Sequence, residues 1–319
     1  MEYRKMGKSD LKLSEISLGC WVMGGSYWGG ADDNESIGAI QKALDCGVNF
    51  IDTAVIYGGG RSEEIVGKAL KGRRNDTIIS TKLWKTDMHY KDVFTACEAS
   101  MKRLQTDYID VYFIHYPNDE IPIEETMKAL LELKKQGKIR EIGLSNFSRT
   151  QMEEVLQIGR FEVIQPCYNL LWRFIEKEDL PFCLENDIGI VAYSPIAQGL
   201  LTGKFDLNTT FKDDDGRAKV PLFQKEWYGK CLEVADALKK PAANHHKTQG
   251  QAAINWVTSQ PGITSAIVGA RNAAQMEENA GGAGFRLEAG ELAELDRIGR
   301  KVTDYLPEYE TFFSLNIKK

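Results

Sequence analysis

Residues 49–70, NFIDTAVIYGGGRSEEIVGKAL, combine an apolar run, a glycine-rich loop and a helical pattern. The run NFID has the composition of a short buried strand and ends in the carboxylate of Asp52. Tyr57 follows five positions later, and a helical pattern opens only after the glycines. A strand that merely fills a core needs neither a carboxylate at its end nor a phenol in the next loop. This strand, loop and helix unit therefore predicts functional side chains at the end of a strand.

The same unit recurs along the chain. Short β-branched runs alternate with amphipathic segments of helical period, and several of those segments begin with Asp or Ser and end at Gly. The runs cover residues 14–21, 48–53, 77–82, 109–115, 139–145, 161–165, 188–194 and 264–269. Eight strand and helix pairs after a small N-terminal β-hairpin predict an α/β fold, the parallel (β/α)8 TIM barrel. A doubly wound sheet is the alternative.

Two segments lie outside this repeat. Residues 198–247 are too long for a bare connection and predict a long loop plus one added helix after the seventh barrel strand. The C-terminal tail, KVTDYLPEYETFFSLNIKK at residues 301–319, carries aromatic side chains that look exposed. Long loops on the carboxyl-end face of a barrel usually cover the active site. Because no linker divides the chain, we expect residues 1–319 to form a single domain.

Composition limits the partners. The chain is 43% hydrophobic and 27% charged, which is ordinary globular composition. A net charge of -6 argues against nucleic-acid or anionic-membrane partners. The N-terminal residues are polar, and no apolar stretch reaches the roughly 18 residues of a membrane span. We therefore expect a cytoplasmic protein.

The cysteines and histidines do not form a metal-site pattern. Six cysteines are scattered without C-x-x-C spacing, which favours reduced, mostly buried thiols over a disulfide framework. Of four histidines, the pair His245 and His246 has no cysteine or carboxylate at metal-ligand spacing. We expect no metal site.

Ionisable side chains end three successive strand-like runs. Asp52 ends the second run, Lys82 the third and His115 the fourth, with Tyr57 in the loop after Asp52. Singly, each has an ordinary structural interpretation, such as a helix cap or a core histidine. The carboxyl ends of barrel strands meet at one rim, so we expect the four side chains to lie together.

These four groups match the requirements of carbonyl reduction by hydride. A proton must reach the oxygen as charge develops there, and a phenol with its ordinary pKa of about 10 is a poor acid near neutrality. A neighbouring ammonium stabilises the phenolate and a carboxylate holds that ammonium in place. We therefore assign Tyr57 as the acid, Lys82 as the group that lowers its pKa, Asp52 as the partner of Lys82, and His115 as the donor that orients the substrate oxygen.

At this point the chain resembles the aldo-keto reductase superfamily. The resemblance runs through nearly the whole sequence, in family order and spacing. It is carried by GVNFIDTAVIYGGGRSEEIVGKAL, IISTK, DYIDVYFIH, GKIREIGLSNF, QPCYNLLWR, VAYSPIAQGLLTGK and AIVGARNAAQMEEN. It implies the barrel fold, an NADPH/NADP+ cofactor bound without a Rossmann domain, and reversible reduction of small-molecule aldehydes or ketones.

The resemblance also implies which residues hold the cofactor. Ser145, Asn146 and Gln165 would bind the nicotinamide carboxamide, and Tyr193 would stack on the ring. The pyrophosphate would lie against Ser194, Pro195, backbone around Leu200, and Lys204, with Arg217 as a further cation. The adenosine end would be held by Arg271, Gln275, Glu278 and Asn279. Without the family pattern, the last three would be taken for an ordinary polar helix face.

The substrate pocket is specified less fully. Its candidate walls are Cys20, Trp21, Trp28, Trp84, Tyr116 and the aromatic residues of the tail; Cys20 and Trp21 are also candidates to contact the cofactor. Many members of the family have tryptophan directly after the histidine, where this chain has Tyr116.

Two other functions remain open at this stage. Potassium-channel β subunits resemble the same fold and keep a nucleotide site while acting as bound partners; the absence of an appended N-terminal segment here favours an enzyme. A barrel lyase could use Lys82 as a Schiff-base nucleophile, but a neighbouring aspartate keeps a lysine charged rather than nucleophilic.

Overall fold

A computed structural model describes residues 1–25, 32–211, 215–309 and 311–316. Eight parallel strands close into a barrel in which sequence neighbours pair and the last strand pairs with the first. This arrangement confirms the predicted TIM barrel and excludes the doubly wound sheet. The strands are β3 (Ile16–Gly19), β4 (Phe50–Asp52), β5 (Ile78–Leu83), β6 (Ile109–Ile114), β7 (Ile139–Ser145), β8 (Val163–Gln165), β9 (Gly189–Tyr193) and β10 (Ile263–Gly269).

Helices surround the barrel and bury their apolar faces against the strands. Their termini follow local chemistry: Asp32 caps the first helix through the Glu35 amide, and Ser148 forms a capping box with Gln151. They are α1 (Asp33–Asp45), α2 (Arg61–Ala69), α3 (Tyr90–Leu104), α4 (Ile123–Lys135), α5 (Arg149–Ile158), α6 (Asp179–Glu185), α7 (Lys225–Ala237), α8 (Lys239–Asn244), α9 (Gln249–Thr258), α10 (Ala273–Ala280) and α11 (Ala289–Thr303).

The predicted N-terminal hairpin is present, and it closes the bottom of the barrel. Its strands are β1 (Tyr3–Lys5) and β2 (Lys12–Ser14). Side chains from the hairpin share one buried apolar cluster with side chains from inside the barrel. The members are Met6, Leu11, Leu13, Phe50, Ile78, Val111, Phe113, Val163, Val191 and Ile267. The amino ends of the strands are thereby sealed, and the carboxyl ends remain for a site.

The side chains at the open end follow from strand periodicity. Residues two apart on a strand point to the same side, so each position two beyond an apolar interior residue also points inward. On β4, Phe50 is followed by Asp52, and on β8, Val163 is followed by Gln165. The same step leads from Ile78 through Ser80 to Lys82, from Phe113 to His115, and from Val191 to Tyr193. The polar groups thus form the layer directly above the apolar interior.

The segment between β9 and β10 contains two helices before α9, not the single added helix predicted. Pro241 explains the break between α7 and α8. Its ring has no N–H, and it would clash with the carbonyl of the residue four positions earlier, Ala237, which is the last residue of α7. Short 3-10 turns at residues 197–202, 216–219 and 221–223 lie in the long loop that precedes α7.

The C-terminal tail is better packed than its sequence indicates. The prediction of exposed aromatics holds for Tyr305, which is 73% exposed, but it is wrong for Phe312, which is fully buried. Phe312 packs edge-on against Trp172 with ring centroids 5.1 Å apart, and Tyr309 stacks on the same indole at 6.2 Å. This anchor carries Phe313 over the open end of the barrel.

No helix among the described residues is long and apolar enough to span a bilayer.

Candidate active site

A cavity of about 1270 Å³ lies at the carboxyl ends of the barrel strands. Asp52, Tyr57 and His115 line it at one end, and Lys204, Arg217 and Arg271 line it at the other. It is therefore long enough to offer a reaction centre and a separate basic region in one continuous space.

Lys82 connects the residues of the reaction centre. Its Nζ lies 2.8 Å from both carboxylate oxygens of Asp52, 2.9 Å from the Thr53 carbonyl oxygen and 3.3 Å from Oη of Tyr57. Lys82 is fully buried and Asp52 is nearly so. A buried ammonium requires such compensation, because an unpaired charge in this position would be strongly destabilising.

Asp52 is itself fixed by neutral donors. Its Oδ1 accepts hydrogen bonds of 2.7 Å from Ser80 Oγ and 2.9 Å from Gln165 Nε2, in addition to the bond from Lys82. Three donors on one oxygen hold the carboxylate in a single orientation and keep Lys82 pointed at Tyr57.

The loop that carries Tyr57 is held by close backbone contact. Gly58 adopts a left-handed backbone conformation with φ of 66°, and a Cβ at this position would collide with the Gly24 carbonyl oxygen. Glycine at both positions lets the loops after β3 and β4 meet, and Trp21 then stacks near Tyr57 with ring centroids 6.0 Å apart.

The pKa of Tyr57 differs from the sequence-based expectation. Burial first, then the Asp52 carboxylate and the Cys20 thiol, raises this pKa well above 10, whereas we predicted that Lys82 would lower it. Burial also lowers the pKa of Lys82, although the Asp52 carboxylate opposes that effect. Tyr57 is consequently a neutral phenol near pH 7. Because Lys82 donates to Oη, the phenol's own proton is left to point away from Lys82.

His115 is a neutral imidazole at the same end. Burial first and the Lys82 charge second lower its pKa well below 6.5. Its ring lies edge-on to the Tyr57 ring with centroids 5.9 Å apart. Its Nδ1 is buried and has no hydrogen-bond partner among the residues that the structure describes. The four residues assigned from the sequence are thus brought together at one place.

The side chains predicted to hold the nicotinamide form one hydrogen-bonded group. Ser145 Oγ donates to the Gln165 carbonyl oxygen at 2.8 Å, and Asn146 Nδ2 donates to Ser145 Oγ at 3.0 Å and to the His115 carbonyl oxygen at 3.0 Å. Tyr193 Oη donates to Asn146 Oδ1 at 3.0 Å. All four lie at the ends of β7, β8 and β9 and line the cavity beside His115.

The turn after β9 has an unusual backbone. Ser194, Ala197 and Gln198 have positive φ angles of 57°, 48° and 56°, and Gly199 follows at 88°. Non-glycine residues in this region cost free energy. The Ala197 and Gly199 amides donate within the turn, to the Ser194 and Ile196 carbonyl oxygens. Among the predicted contacts, Ser194, Pro195 and Lys204 line the cavity here.

Two predicted cofactor residues are not themselves part of the cavity wall. Cys20 and Leu200 are fully buried in the core between strands and helices, and neither lines the cavity. For Leu200 the prediction concerned the surrounding backbone, and the adjacent Gly199 does line the cavity. Burial and the neighbouring Asp52 carboxylate keep the Cys20 thiol protonated, because both raise its pKa. Their neighbours Trp21 and Gly199 form the wall in their place.

The far end of the cavity is basic. Burial first, and then the charges of Arg217 and Arg271, lower the pKa of Lys204, so the three cations lie close together. Asp215 accepts hydrogen bonds from Arg217 and compensates part of this charge. The predicted residues on the loop and helix after β10 all line this end, namely Arg271, Gln275, Glu278 and Asn279.

Side chains here are oriented before any ligand arrives. The Arg271 amide donates to Gln275 Oε1 at 2.9 Å, and Asn279 Nδ2 donates to the Gly269 carbonyl oxygen at 3.1 Å. The cluster of cations at this end of the cavity is suited to a phosphorylated ligand such as a nicotinamide dinucleotide.

The walls near Tyr57 are largely aromatic. Trp84 lies edge-on to His115 at 5.4 Å, and Phe313 lies edge-on to Trp21 at 4.8 Å. Tyr116 also lines this end. Trp28, predicted as a further wall residue, lies outside the described residues.

Sequence reasoning missed several residues of this site. Ser80 contacts Asp52, and strand periodicity identifies it, since Ile78, Ser80 and Lys82 share one face of β5. Other missed residues line the basic end, namely Thr202, Lys219, Thr248, Gly250 and Gln251. They come from the long loop and from the start of α9, and no local motif marks them.

Comparison with known proteins agrees with this geometry. The sequence model of the Aldo/keto reductase family matches residues 15–300. The chain is 40% identical to the aldo-keto reductase YhdN of Bacillus subtilis (strain 168) over 93% of each protein. It is 35% identical to the NADH-specific methylglyoxal reductase of Escherichia coli (strain K12), over 86% of this chain and 91% of that protein. It is 34% identical to a probable voltage-gated potassium channel subunit beta of Arabidopsis thaliana, over 88% and 90%.

Solved structures show the same relationship. The glycerol dehydrogenase AKR11B4 from Gluconobacter oxydans superposes with a TM-score of 0.87 at 37% identity, covering 94% of this chain and 95% of that one. An aldo/keto reductase from Klebsiella pneumoniae in complex with NADP and acetate superposes with a TM-score of 0.75 at 31% identity, covering 92% and 93%. With a family match across most of the barrel and relatives that are named oxidoreductases, this chain belongs to the aldo/keto reductase family and is an NAD(P)H-dependent oxidoreductase.

Proposed function

We propose that the protein reduces small-molecule aldehydes or ketones to alcohols, reversibly, with NADPH as the preferred cofactor. One observation carries the proposal: the hydroxyl of Tyr57 is held by the Lys82 ammonium, which is itself bound by the Asp52 carboxylate, at one end of the large cavity. That arrangement supplies a proton where a carbonyl oxygen gains negative charge.

Each residue of this group has a separate task. The neutral Tyr57 phenol donates its proton to the substrate oxygen, and the charge of Lys82 stabilises the phenolate that remains. Asp52 keeps Lys82 charged and directed at Oη. His115, as a neutral imidazole, donates a hydrogen bond to the same substrate oxygen and fixes its position. In alcohol oxidation the same groups act in reverse, with the phenolate accepting the proton.

The remaining residues would hold the cofactor, which supplies the hydride when bound. Ser145, Asn146 and Gln165 would bind the carboxamide, and the Tyr193 ring would support one face of the nicotinamide. The turn at Ser194, with Lys204, would bind the pyrophosphate. The hydrogen bonds already made within these groups support the assignment, because oriented donors lose little entropy on binding.

The preference for NADPH rests on the basic end. NADPH differs from NADH by one phosphate on the adenosine ribose, and Arg271 lines the end of the cavity where that phosphate would lie, with the charges of Lys204 and Arg217 close by. Guanidinium groups bind phosphate through paired charge-assisted hydrogen bonds. The Klebsiella structure is a complex with NADP, whereas the Escherichia coli relative is NADH-specific, so relatives of this chain differ in the cofactor they use.

A nucleotide-binding regulatory subunit of a channel is the second candidate. The relative named as a potassium channel subunit beta supports it. The complete set of Asp52, Tyr57, Lys82 and His115 supports the enzyme, since a protein that only senses a nucleotide does not need a proton donor beside the nicotinamide position.

A cofactor-consumption assay tests the proposal. The purified protein is incubated with NADPH or NADH and a panel of aldehydes, ketoses and dicarbonyls, and absorbance of the reduced cofactor is followed. We expect turnover that is faster with NADPH. Tight NADPH binding without turnover of any carbonyl would favour the regulatory subunit.

A further inference from the structure

We infer that Asn169 is a positioning residue for cofactor binding. Asn169 does not line the cavity; it holds the backbone of Ser194, which leads the chain from Tyr193 at the end of β9 into the turn that follows. The inference rests on the proposed placement of the dinucleotide, with the nicotinamide on Tyr193 and the pyrophosphate at this turn.

Ser194 has a backbone conformation that serine does not favour. Its φ of 57° lies in the left-handed region, where a residue with a Cβ costs free energy. Ala197 and Gln198 in the same turn have φ of 48° and 56°. Because such conformations persist only when the surrounding structure enforces them, this turn requires contacts from outside itself.

The Ser194 carbonyl oxygen receives such a contact. It accepts a hydrogen bond of 2.9 Å from the Ala197 amide within the turn, and another of 3.0 Å from Nδ2 of Asn169. The first bond joins two residues that both have left-handed backbones. The second bond joins the turn to a segment 25 positions earlier in the chain, so it fixes the turn relative to the barrel.

The Asn169 side chain is held in one orientation. It is fully buried, and its Oδ1 accepts a hydrogen bond of 2.9 Å from the Leu171 amide. The Asn169 amide donates to the Trp172 carbonyl oxygen at 3.2 Å, and the Trp172 amide donates back at 3.0 Å. The donor that reaches Ser194 is therefore rigid before any ligand binds.

The residues just before Asn169 pair with the end of β9. The Tyr193 amide donates to the Pro166 carbonyl oxygen at 2.9 Å, and the Tyr168 amide donates to the Tyr193 carbonyl oxygen at 3.2 Å. The segment after β8 thus fixes the backbone of Tyr193 through main-chain bonds and that of Ser194 through the Asn169 side chain.

The NH2 group is the part of Asn169 that the local structure does not need. The bond from the Leu171 amide is a local turn contact, for which an oxygen at position 169 is sufficient. Besides Ser194, the contact of Nδ2 in the described part of the chain is the Cys167 sulfur at 3.9 Å, a weak acceptor. The Ser194 carbonyl is therefore the contact that requires an amide side chain here.

Loss of this donor should affect one part of the cofactor. Without it, Ser194 can leave the left-handed region, and cofactor binding must then order the turn again, which lowers affinity. The nicotinamide and the pyrophosphate are common to NADPH and NADH, whereas the adenosine phosphate is assigned to Arg271. Both cofactors should lose affinity by the same factor, and an adenosine fragment should lose none.

Two variants of different size remove the donor. Asn169→Ser retains an oxygen near the Leu171 amide and cannot overpack the core, whereas Asn169→Leu fills the space without a polar group. Quenching of protein fluorescence gives Kd for NADPH and NADH, and competition with NADPH gives Kd for adenosine 2′-monophosphate. This fragment carries the 2′-phosphate but neither pyrophosphate nor nicotinamide. Asn169→Ser decides the test if Asn169→Leu does not fold.

We expect both variants to raise Kd for NADPH and for NADH about five- to tenfold and to leave Kd for adenosine 2′-monophosphate unchanged. Asn255→Ser is the matched control. Asn255 is fully buried, does not line the cavity, and donates through Nδ2 to the Gly282 and Phe285 carbonyl oxygens at 3.1 and 2.9 Å. It should lower the midpoint of thermal unfolding, as the Asn169 variants do, without changing any of the three Kd values.

The outcomes separate the inference from the function beneath it. Unchanged cofactor affinity in folded Asn169→Ser, or an equal loss for adenosine 2′-monophosphate, would overturn the inference alone. Failure of the wild type to bind either cofactor would overturn the proposed placement of the dinucleotide and this inference with it. Cofactor binding without turnover of any carbonyl would count against the proposed reduction, while the three Kd values would still decide the role of Asn169.

Discussion

Ser80 Oγ donates a hydrogen bond of 2.7 Å to Oδ1 of Asp52, the same oxygen that accepts from Lys82 Nζ. Ser80 is fully buried and does not line the cavity, so it acts on the reaction only through Asp52. The orientation of the catalytic ammonium therefore depends on a hydroxyl that the substrate never meets.

Ser80→Ala should lower kcat about three- to tenfold, as expected for loss of one hydrogen bond to a charged group, while KM for the carbonyl stays nearly constant. Steady-state kinetics of carbonyl reduction check this split, and Ser80→Thr should restore kcat by restoring the hydroxyl. Ser36→Ala is the control, because Ser36 Oγ is buried and without a hydrogen bond among the described residues. A rise in KM with unchanged kcat in Ser80→Ala would contradict this role.

Tyr57→Phe should keep the fold and cofactor affinity but lower carbonyl reduction by at least about 10²-fold, since the general acid is lost. Lys82→Met should behave similarly because the phenolate loses its stabilising charge. Single-turnover rates with NADPH, together with cofactor titration, separate chemistry from binding. Tyr305→Phe removes an exposed hydroxyl and serves as the reference. Near-normal turnover in Tyr57→Phe would show that another group donates the proton.

The pH dependence of reduction should show no loss near the ordinary pKa of histidine. His115 must be neutral to act as assigned, and its pKa is lowered well below 6.5 by burial and by Lys82. Neutral imidazole persists above the pKa, so lowering the pKa extends the active form to more acidic conditions. We expect kcat/KM to stay level between about pH 6 and pH 8. An acid limb with its midpoint near 6.5 would mean that His115 titrates normally.

The fold and the reaction centre were predictable because both follow from local patterns. Alternating strand and helix signals identify the barrel, and Asp52, Lys82 and His115 end consecutive strands, so topology alone brings them together. The pKa of Tyr57 was not predictable, because it depends on how completely the surrounding loops exclude water. The positions of Phe313 and Thr248 depend on tail and loop packing between residues far apart in the chain, for which a single sequence carries no local signal.

Burial also explains the sequence-based assignment of Cys20, which lies off the cavity. Cys20 precedes the lining residue Trp21, but its own side chain is buried in the core. A motif identifies a segment, whereas the side of the backbone that faces the ligand depends on the local turn, and the turn at residues 194–199 contains four positive φ angles that no regular period describes.

Arg271→Ala should weaken NADPH binding strongly and NADH binding little. Arg271 directly follows Ala270 beyond β10, lines the basic end of the cavity, and lies close enough to Lys204 to lower its pKa. A hydrogen bond to a charged group contributes about 1.5 to 3 kcal/mol, so losing it should reduce the preference for NADPH by about one to two orders of magnitude. The neighbouring Lys204 and Arg217 retain part of the phosphate affinity, so the preference for NADPH over NADH should become smaller without reversing.

Titration of both cofactors by quenching of protein fluorescence, at fixed ionic strength, measures the loss of affinity for NADPH and for NADH in Arg271→Ala. Arg149→Ala is the control, since Arg149 pairs with Glu153 on the surface of α5 and should change neither affinity. Equal losses for NADPH and NADH in Arg271→Ala would show that Arg271 binds a part that the two cofactors share.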